Sequence, residues 1–140
     1  RILEIEQHSF PKSPYSKMTF IHLYWLYPKN FWVYVGQPRD QEKAGVYGYL
    51  IFSEDGHLIS LAVHPKHRRR GIGESLVKKA VESLAVRKLW AEVRQSNQGA
   101  LAFYRKIGFQ IVGTVSNYYG NEDALIVQFL QGGSLDSLLL

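Results

Sequence analysis

Residues 58–77 constrain the fold of this 140-residue chain more than any other stretch. Leu58-Ile-Ser-Leu-Ala-Val63 is an apolar run of strand type, followed by the basic turn His64-Pro-Lys-His-Arg-Arg-Arg-Gly-Ile-Gly73. From Gly71 to about residue 86 apolar residues recur at helical spacing. Ile72, Leu76, Val77, Ala80, Val81 and Leu84 share one face, with Lys78, Lys79 and Glu82 opposite. The first amides of a helix have no internal partners and point outward, where the helix dipole adds roughly half a positive charge. Gly71 and Gly73 keep side chains away from that backbone, while Arg68, Arg69 and Arg70 add full charges. Such a corner suits a polyanion. It is not a P-loop, since no Gly-Lys-Ser/Thr closes it, nor G-x-G-x-x-G, since only Gly71 and Gly73 are glycines there. A solvated basic turn is the alternative, and the flanking strand and helix favour phosphate.

The remaining patterning places helices on both sides of a sheet. Residues 1–9 read as the tail of a helix with Ile2, Ile5 and His8 on one side, stopped at Phe10-Pro11. Residues 12–15 form a loop. Ser16 caps a second helix to about Leu26, with Ile21, Tyr24 and Trp25 at helical spacing. The apolar run 20–27 is too short for a membrane span and reads as a buried helix. Pro28-Lys29-Asn30 breaks it. Strands follow at 31–35, 45–52 and 58–63, with a polar turn at 37–43 and a hairpin signal at Glu54-Asp55-Gly56. A strand at 89–93 precedes a short helix capped by Ser96-Asn97, running to Lys106 and stopped by Gly108. Strands at 109–114 and 124–130 flank Tyr118-Tyr119-Gly120-Asn121. The order αα-βββ-α-β-α-ββ describes an α/β (α+β) domain over residues 1–130, a central mixed sheet with helices on both faces. Residues 131–140 read as a frayed tail.

Composition narrows the function classes. The absence of cysteine excludes disulfides, thiolate zinc sites and a cysteine nucleophile; it fits a cytoplasmic location, and equally a thermophile that avoids labile residues. His64 and His67 flank a proline turn with no carboxylate cluster, so no metal is expected. No secretory signal or membrane span is visible; the chain opens at Arg1, which suggests trimming. The net charge of +5 allows an anionic ligand. Nucleic acid is disfavoured, because the arginines gather at one turn and no zinc-finger, RNP or helix-turn-helix pattern is present.

Three further stretches carry a resemblance. Arg68-Arg-Arg-Gly-Ile-Gly73 matches the Q/R-x-x-G-x-G/A acetyl-CoA motif of the GNAT N-acetyltransferase superfamily. Leu89-Trp-Ala-Glu-Val-Arg-Gln-Ser-Asn97 and Ala100-Leu-Ala-Phe-Tyr-Arg-Lys-Ile-Gly-Phe109 resemble its RimI branch, which acetylates protein N-terminal α-amines. Asn117-Tyr-Tyr-Gly-Asn-Glu-Asp-Ala124 is similar to a segment of RimI-like and archaeal N-terminal acetyltransferases. Ser9-Phe10-Pro11, with Tyr15 beyond, is similar to their first substrate loop. The likeness spans about residues 2–130. The family opens with a strand for which this chain has no room.

The resemblance implies direct transfer from acetyl-CoA to an amine, with a protein or peptide N-terminus as acceptor. It implies pantetheine contacts from the backbone of Leu61, Ala62 and Val63, one amide polarising the thioester carbonyl. It also implies a pyrophosphate cradle from the amides of Arg69, Arg70, Gly71, Ile72, Gly73 and Glu74. Arg68 either tightens the turn or contacts the ligand. Glu92, a carboxylate inside an apolar strand, is the general base the resemblance assigns; pairing with Arg94 or a lysine is the alternative. Tyr104 is the general acid or a core aromatic, with Phe103 beside it in the core. Asn97 caps its helix and can also reach the cofactor's amide arm. Tyr15, Tyr118 and Tyr119 line the acceptor groove, and Glu122 and Asp123 can cap that loop electrostatically. A monomer or weak homodimer is expected. Acetylation of a small amine or a lysine, and a non-catalytic CoA- or nucleic-acid-binding module, are the rival readings.

Overall fold

The computed structural model describes residues 1–11, 14–36, 45–83 and 88–130. Helices α1 (Ile2–Ser9) and α2 (Lys17–Leu26) lead into strands β1 (Phe31–Gly36), β2 (Gly45–Phe52) and β3 (Leu58–Val63). A 3-10 turn (Pro65–His67), helix α3 (Ile72–Ser83), strand β4 (Lys88–Arg94) and helix α4 (Gln98–Lys106) follow, then strands β5 (Gln110–Val115) and β6 (Ala124–Leu130). This is the order that the patterning predicts. The expected polar turn at 37–43, the helix end at 84–86, the tail at 131–140 and residues 12–13 of the first loop lie outside the described residues.

The strands form two three-stranded sheets, β1-β2-β3 and β4-β6-β5, each antiparallel within itself, with the helices interspersed as an α/β fold requires. The consecutive pairs β1–β2, β2–β3 and β5–β6 need no long crossover to pair antiparallel. Among the described residues, parallel pairing is confined to an isolated bridge between His57 and Trp90. The chain divides into two compact units, Arg1–Glu54 with Leu58–Ser83, and Asp55–His57 with Leu84–Leu140.

In the first unit α3 buries the predicted face, Ile72, Leu76, Val77, Ala80 and Val81, at roughly 1.5–3 kcal/mol for each of the larger side chains. Gly48 makes the close seat possible. A Cβ there would lie 3.1 Å from the Ala62 carbonyl oxygen and 3.2 Å from Ile72 Cγ2. A second cluster joins Ile5, Phe20, Tyr49, Ile51 and Ala62. Two expectations fail here. His8 is exposed, and Glu6 takes the buried place beside Ile5. The run 20–27 is not a buried helix: Phe20 is buried, Leu23 and Tyr27 half-buried, and Trp25 is 79% exposed. A helix lying on one sheet buries a single stripe, here Phe20, Leu23 and Tyr27, and that turns Ile21, Tyr24 and Trp25 outward.

In the second unit β4 alternates, with Leu89, Ala91 and Val93 buried and Trp90, Glu92 and Arg94 half-buried on the other face. The side chain of Asn97 caps α4 by accepting from the Ala100 N–H at 3.0 Å, and Gly108 follows its end with φ +104°. The inner stripe of α4 is Leu101 and Tyr104, continued by Ile107 just beyond it. Phe103, expected in the core, is only half-buried because it sits about 100° around the helix from Tyr104.

Candidate active site

The basic turn leads from the end of β3 through the 3-10 turn to the start of α3. Arg68 is extended, Arg69 is left-handed at φ +62° and Gly71 at φ +78°. A non-glycine residue at positive φ is uncommon and costs about 1–3 kcal/mol, a strain that collects at functional sites. Helix α3 starts at Ile72, so the amides of Ile72, Gly73 and Glu74 belong to its first turn and lack intrahelical acceptors. A Cβ on Gly71 would meet nothing within 4 Å, so the glycine leaves this backbone uncovered. The corner therefore fits a pyrophosphate: amides in an αL-containing turn, a helix N-terminus and the exposed side chain of Arg69.

The other arginines have different work. Arg68 donates to the Val63 carbonyl at 3.0 Å and to Ser9 Oγ at 3.0 Å, tying the turn to the end of β3 and of α1. Of its two readings, tightening the turn is the one with geometry behind it. Arg70 lies 3.0 Å from His67 Nδ1, and its guanidinium is 5.9 Å from the centroid of the Tyr47 ring. His67 stacks on Tyr47 at 3.5 Å. Tyr47 in turn fits only because Gly36 has no side chain: a Cβ there would sit 1.8 Å from the ring. His64 accepts from the Lys66 N–H through Nδ1, so its Nε2–H faces Glu4 at 3.4 Å. Among the described residues no group of His, Asp or Glu could hold a metal ion. Leu61, Ala62 and Val63 lie on β3, an edge of its sheet, and an edge presents backbone donors and acceptors along its open side.

The second unit assembles the titratable groups. Glu92 accepts from His57 Nε2–H at 2.7 Å and from the Tyr118 phenol. His57 stacks on Trp90 at 4.1 Å and belongs to the turn that follows Gly56, whose carbonyl accepts from the Trp90 N–H at 2.9 Å. Burial pushes the Glu92 carboxyl up, but the hydrogen bond and charge of His57 and the Tyr118 donor outweigh it. The carboxyl therefore lies below its ordinary value near 4.5, ionised at neutral pH and able to accept a proton. Tyr104, 7% exposed, packs against Phe109 at 4.9 Å. Burial raises its phenol, helped by Tyr119 and the Glu92 charge, so it remains a proton donor. Burial, then the Glu92 charge and hydrogen bond, raise Tyr118 too.

Glu122 organises the Tyr118–Tyr119 loop. It accepts from Arg94 Nη1 at 3.0 Å, from the Ser96 N–H at 3.1 Å and from Ser96 Oγ at 3.1 Å. The Arg94 guanidinium lies 4.0 Å from the centroid of the Tyr119 ring. Asp123 accepts from the Asn117 N–H at 2.9 Å, which supports Asn117 at φ +53°. Tyr15, in the first unit, and Tyr118 expose their rings, and Tyr119 is half-buried. Arg94 thus pairs with Glu122, and the partner of Glu92 is His57, which sequence reasoning missed. A histidine after a hairpin glycine carries no signal of a carboxylate 35 residues away. Glu6 was missed for the same reason.

The acetyltransferase (GNAT) family model matches residues 1–109. A Bacillus subtilis protein, "Putative ribosomal protein bS18-alanine N-acetyltransferase", is 37% identical over 131 residues, covering 90% of this chain and 85% of that protein. The crystal structure of the ribosomal-protein-S18-alanine N-acetyltransferase from Escherichia coli superposes with a TM-score of 0.68 at 27% identity, over 94% of this chain and 88% of that one. Ard1 from Thermoplasma volcanium shares the fold, with a TM-score of 0.80 at 24% identity over 94% and 90% of the two chains. No helix among the described residues is long and apolar enough to cross a membrane.

Proposed function

Because the chain belongs to the GNAT acetyltransferase family and is an N-acetyltransferase, we propose that it moves acetyl from acetyl-CoA to the α-amine of a protein N-terminus, with a ribosomal protein as one acceptor. The observation that carries this reading is Glu92, an ionised carboxylate on β4 held by His57 and Tyr118. An α-amine has a pKa near 8, so much of it is protonated at neutral pH and must lose a proton before it can attack. Glu92 takes that proton, directly or through a water, and the lone pair freed on the amine nitrogen then adds to the thioester carbon. A backbone amide of Leu61–Val63 stabilises the developing oxyanion. As the C–S bond breaks, Tyr104 supplies the proton that the departing thiolate takes, and the surplus proton of the nitrogen, now part of the amide, returns to the phenolate through solvent. The amides of Arg69–Glu74 hold the pyrophosphate, Arg68 keeps their turn in shape, and Asn97 holds the start of α4. Tyr15, Tyr118 and Tyr119 meet the acceptor backbone.

The test is thiol release from acetyl-CoA with a panel of peptides that carry an internal lysine, each made with a free or a blocked N-terminus. Release with the free peptides alone is the expected result. Release with both forms points to lysine acetylation, and release with small amines alone points to a small-molecule acceptor.

A further inference from the structure

Glu6 is a buried polar side chain that the transfer chemistry leaves unused. It is 2% exposed on α1, beside Ile5 and against the cluster of Phe20, Tyr49 and Ala62. Its Oε1 accepts from the Tyr49 phenol and from Ser60 Oγ at 3.2 Å, and its Oε2 accepts from the backbone N–H of Tyr15 at 3.0 Å. Burial and then the Glu6 hydrogen bond push the Tyr49 phenol up, which keeps it a donor. Three protein donors thus occupy the two side-chain oxygens of Glu6 in place of water. An apolar side chain of similar volume would pack in this surrounding without any desolvation cost. What a carboxylate does that leucine cannot is hold separate backbone segments with directed bonds. Here it joins β2, β3 and the residue just ahead of the Ser16 cap of α2. Tyr15 is gripped a second time through its ring, edge-on to Phe20 at 6.0 Å, with Phe20 edge-on to Tyr49 at 5.5 Å.

We propose that Glu6 is a positioning residue for the acceptor, fixing the Tyr15 segment through its amide so that the exposed Tyr15 ring meets the incoming peptide in one orientation. This rests on the reading of Tyr15 as an acceptor contact. The effect belongs to acceptor binding and not to the coenzyme, because the three bonds of Glu6 reach no residue of the Arg69–Glu74 turn.

The experiment compares Glu6→Leu and Glu6→Gln with a free-amine peptide acetylated in the panel above. Glu6→Leu raises the acceptor KM about ten-fold or more, leaves CoA affinity within about two-fold, and loses amide-exchange protection at Tyr15. Glu6→Gln restores the KM: with its oxygen on the Tyr15 N–H, its amide donates to the two hydroxyl oxygens. Should Glu6→Leu fail to fold, Glu6→Asp, which keeps the carboxyl group and shortens the arm, replaces it with the same expected split. A folded Glu6→Leu or Glu6→Asp variant with unchanged acceptor KM overturns the proposal, as do parallel losses in acceptor and CoA binding. Tyr15→Ala separates the two levels. If it leaves the acceptor KM unchanged, the Tyr15 reading falls; if it raises the KM and the Glu6 variants do not, Glu6 alone is excluded. A panel with no acetylated peptide overturns both.

Discussion

Replacing Gly71 with alanine separates the turn's conformation from its ligand. Gly71 has φ +78°, a region that costs an L residue about 1–2 kcal/mol. Part of this is offset by the lower entropy of the unfolded chain, about 0.4–1 kcal/mol. The new Cβ meets nothing within 4 Å, so no packing cost is added. A net loss of about 1 kcal/mol, set against an unfolding entropy of about 2.1 cal/mol/K per residue, lowers Tm by about 3 °C. The same methyl stands in the open space that a phosphate on these amides would enter. CoA affinity should therefore fall about ten-fold or more, equivalent to about 1.4 kcal/mol. Calorimetric titration with CoA reads the affinity, and scanning calorimetry reads the stability. Gly48→Ala is the contrasting variant, since its Cβ would lie 3.1 Å from the Ala62 carbonyl oxygen. It should cost about 1–3 kcal/mol by overpacking with a smaller loss of CoA affinity in the folded protein. Wild-type CoA affinity in a folded Gly71→Ala protein would refute the assignment of the polyanion to this turn.

Because Glu92 lies below its ordinary value, the acid limb of the rate follows the acceptor amine; peptides with more acidic α-amines should shift it down by the same amount in pH–rate profiles. The depressed value also means that Glu92 stabilises the fold above the carboxylate range and loses that contribution as pH falls through it, so acid should lower Tm less in Glu92→Gln than in wild type. Tyr104→Phe should lower kcat about ten-fold or more with little change in Tm, and an unchanged kcat would remove the phenol from the chemistry. Asn97→Ala should cost about 1 kcal/mol by loss of the α4 cap, and Asn97→Ser should restore it; if serine restores stability but not CoA affinity, Asn97 also contacts the coenzyme.

How far the sequence could be read depended on whether a residue's partners were local. The α3 face was legible because Ile72, Leu76, Val77, Ala80 and Val81 recur with one period and the helix opposes them with charge. The caps at Ser16 and Asn97 bond the N–H three residues on, so they could be seen within a few positions. Helix α2 carries apolar residues on most sides, and such a helix does not announce which stripe its sheet will cover. The site's polar partners are remote. Glu6 meets Tyr49 and Ser60 at separations of 43 and 54 residues, and beside Ile5 it reads as an ordinary solvent-facing glutamate. Arg94, two residues from Glu92 on the same face of a strand, was the natural partner on paper. The return of the chain after β5 instead brings Glu122 to Arg94 and leaves Glu92 to His57 and Tyr118.

The most direct measurement is steady-state turnover of Glu92→Gln, with CoA affinity determined on the same protein. Glutamine preserves the shape and can still accept from His57, but it cannot take a proton from the amine. A carboxylate acting as general base predicts a kcat lower by about 10²–10⁴ with CoA affinity nearly unchanged. A Glu92→Gln enzyme that turns over at the wild-type rate would contradict the account.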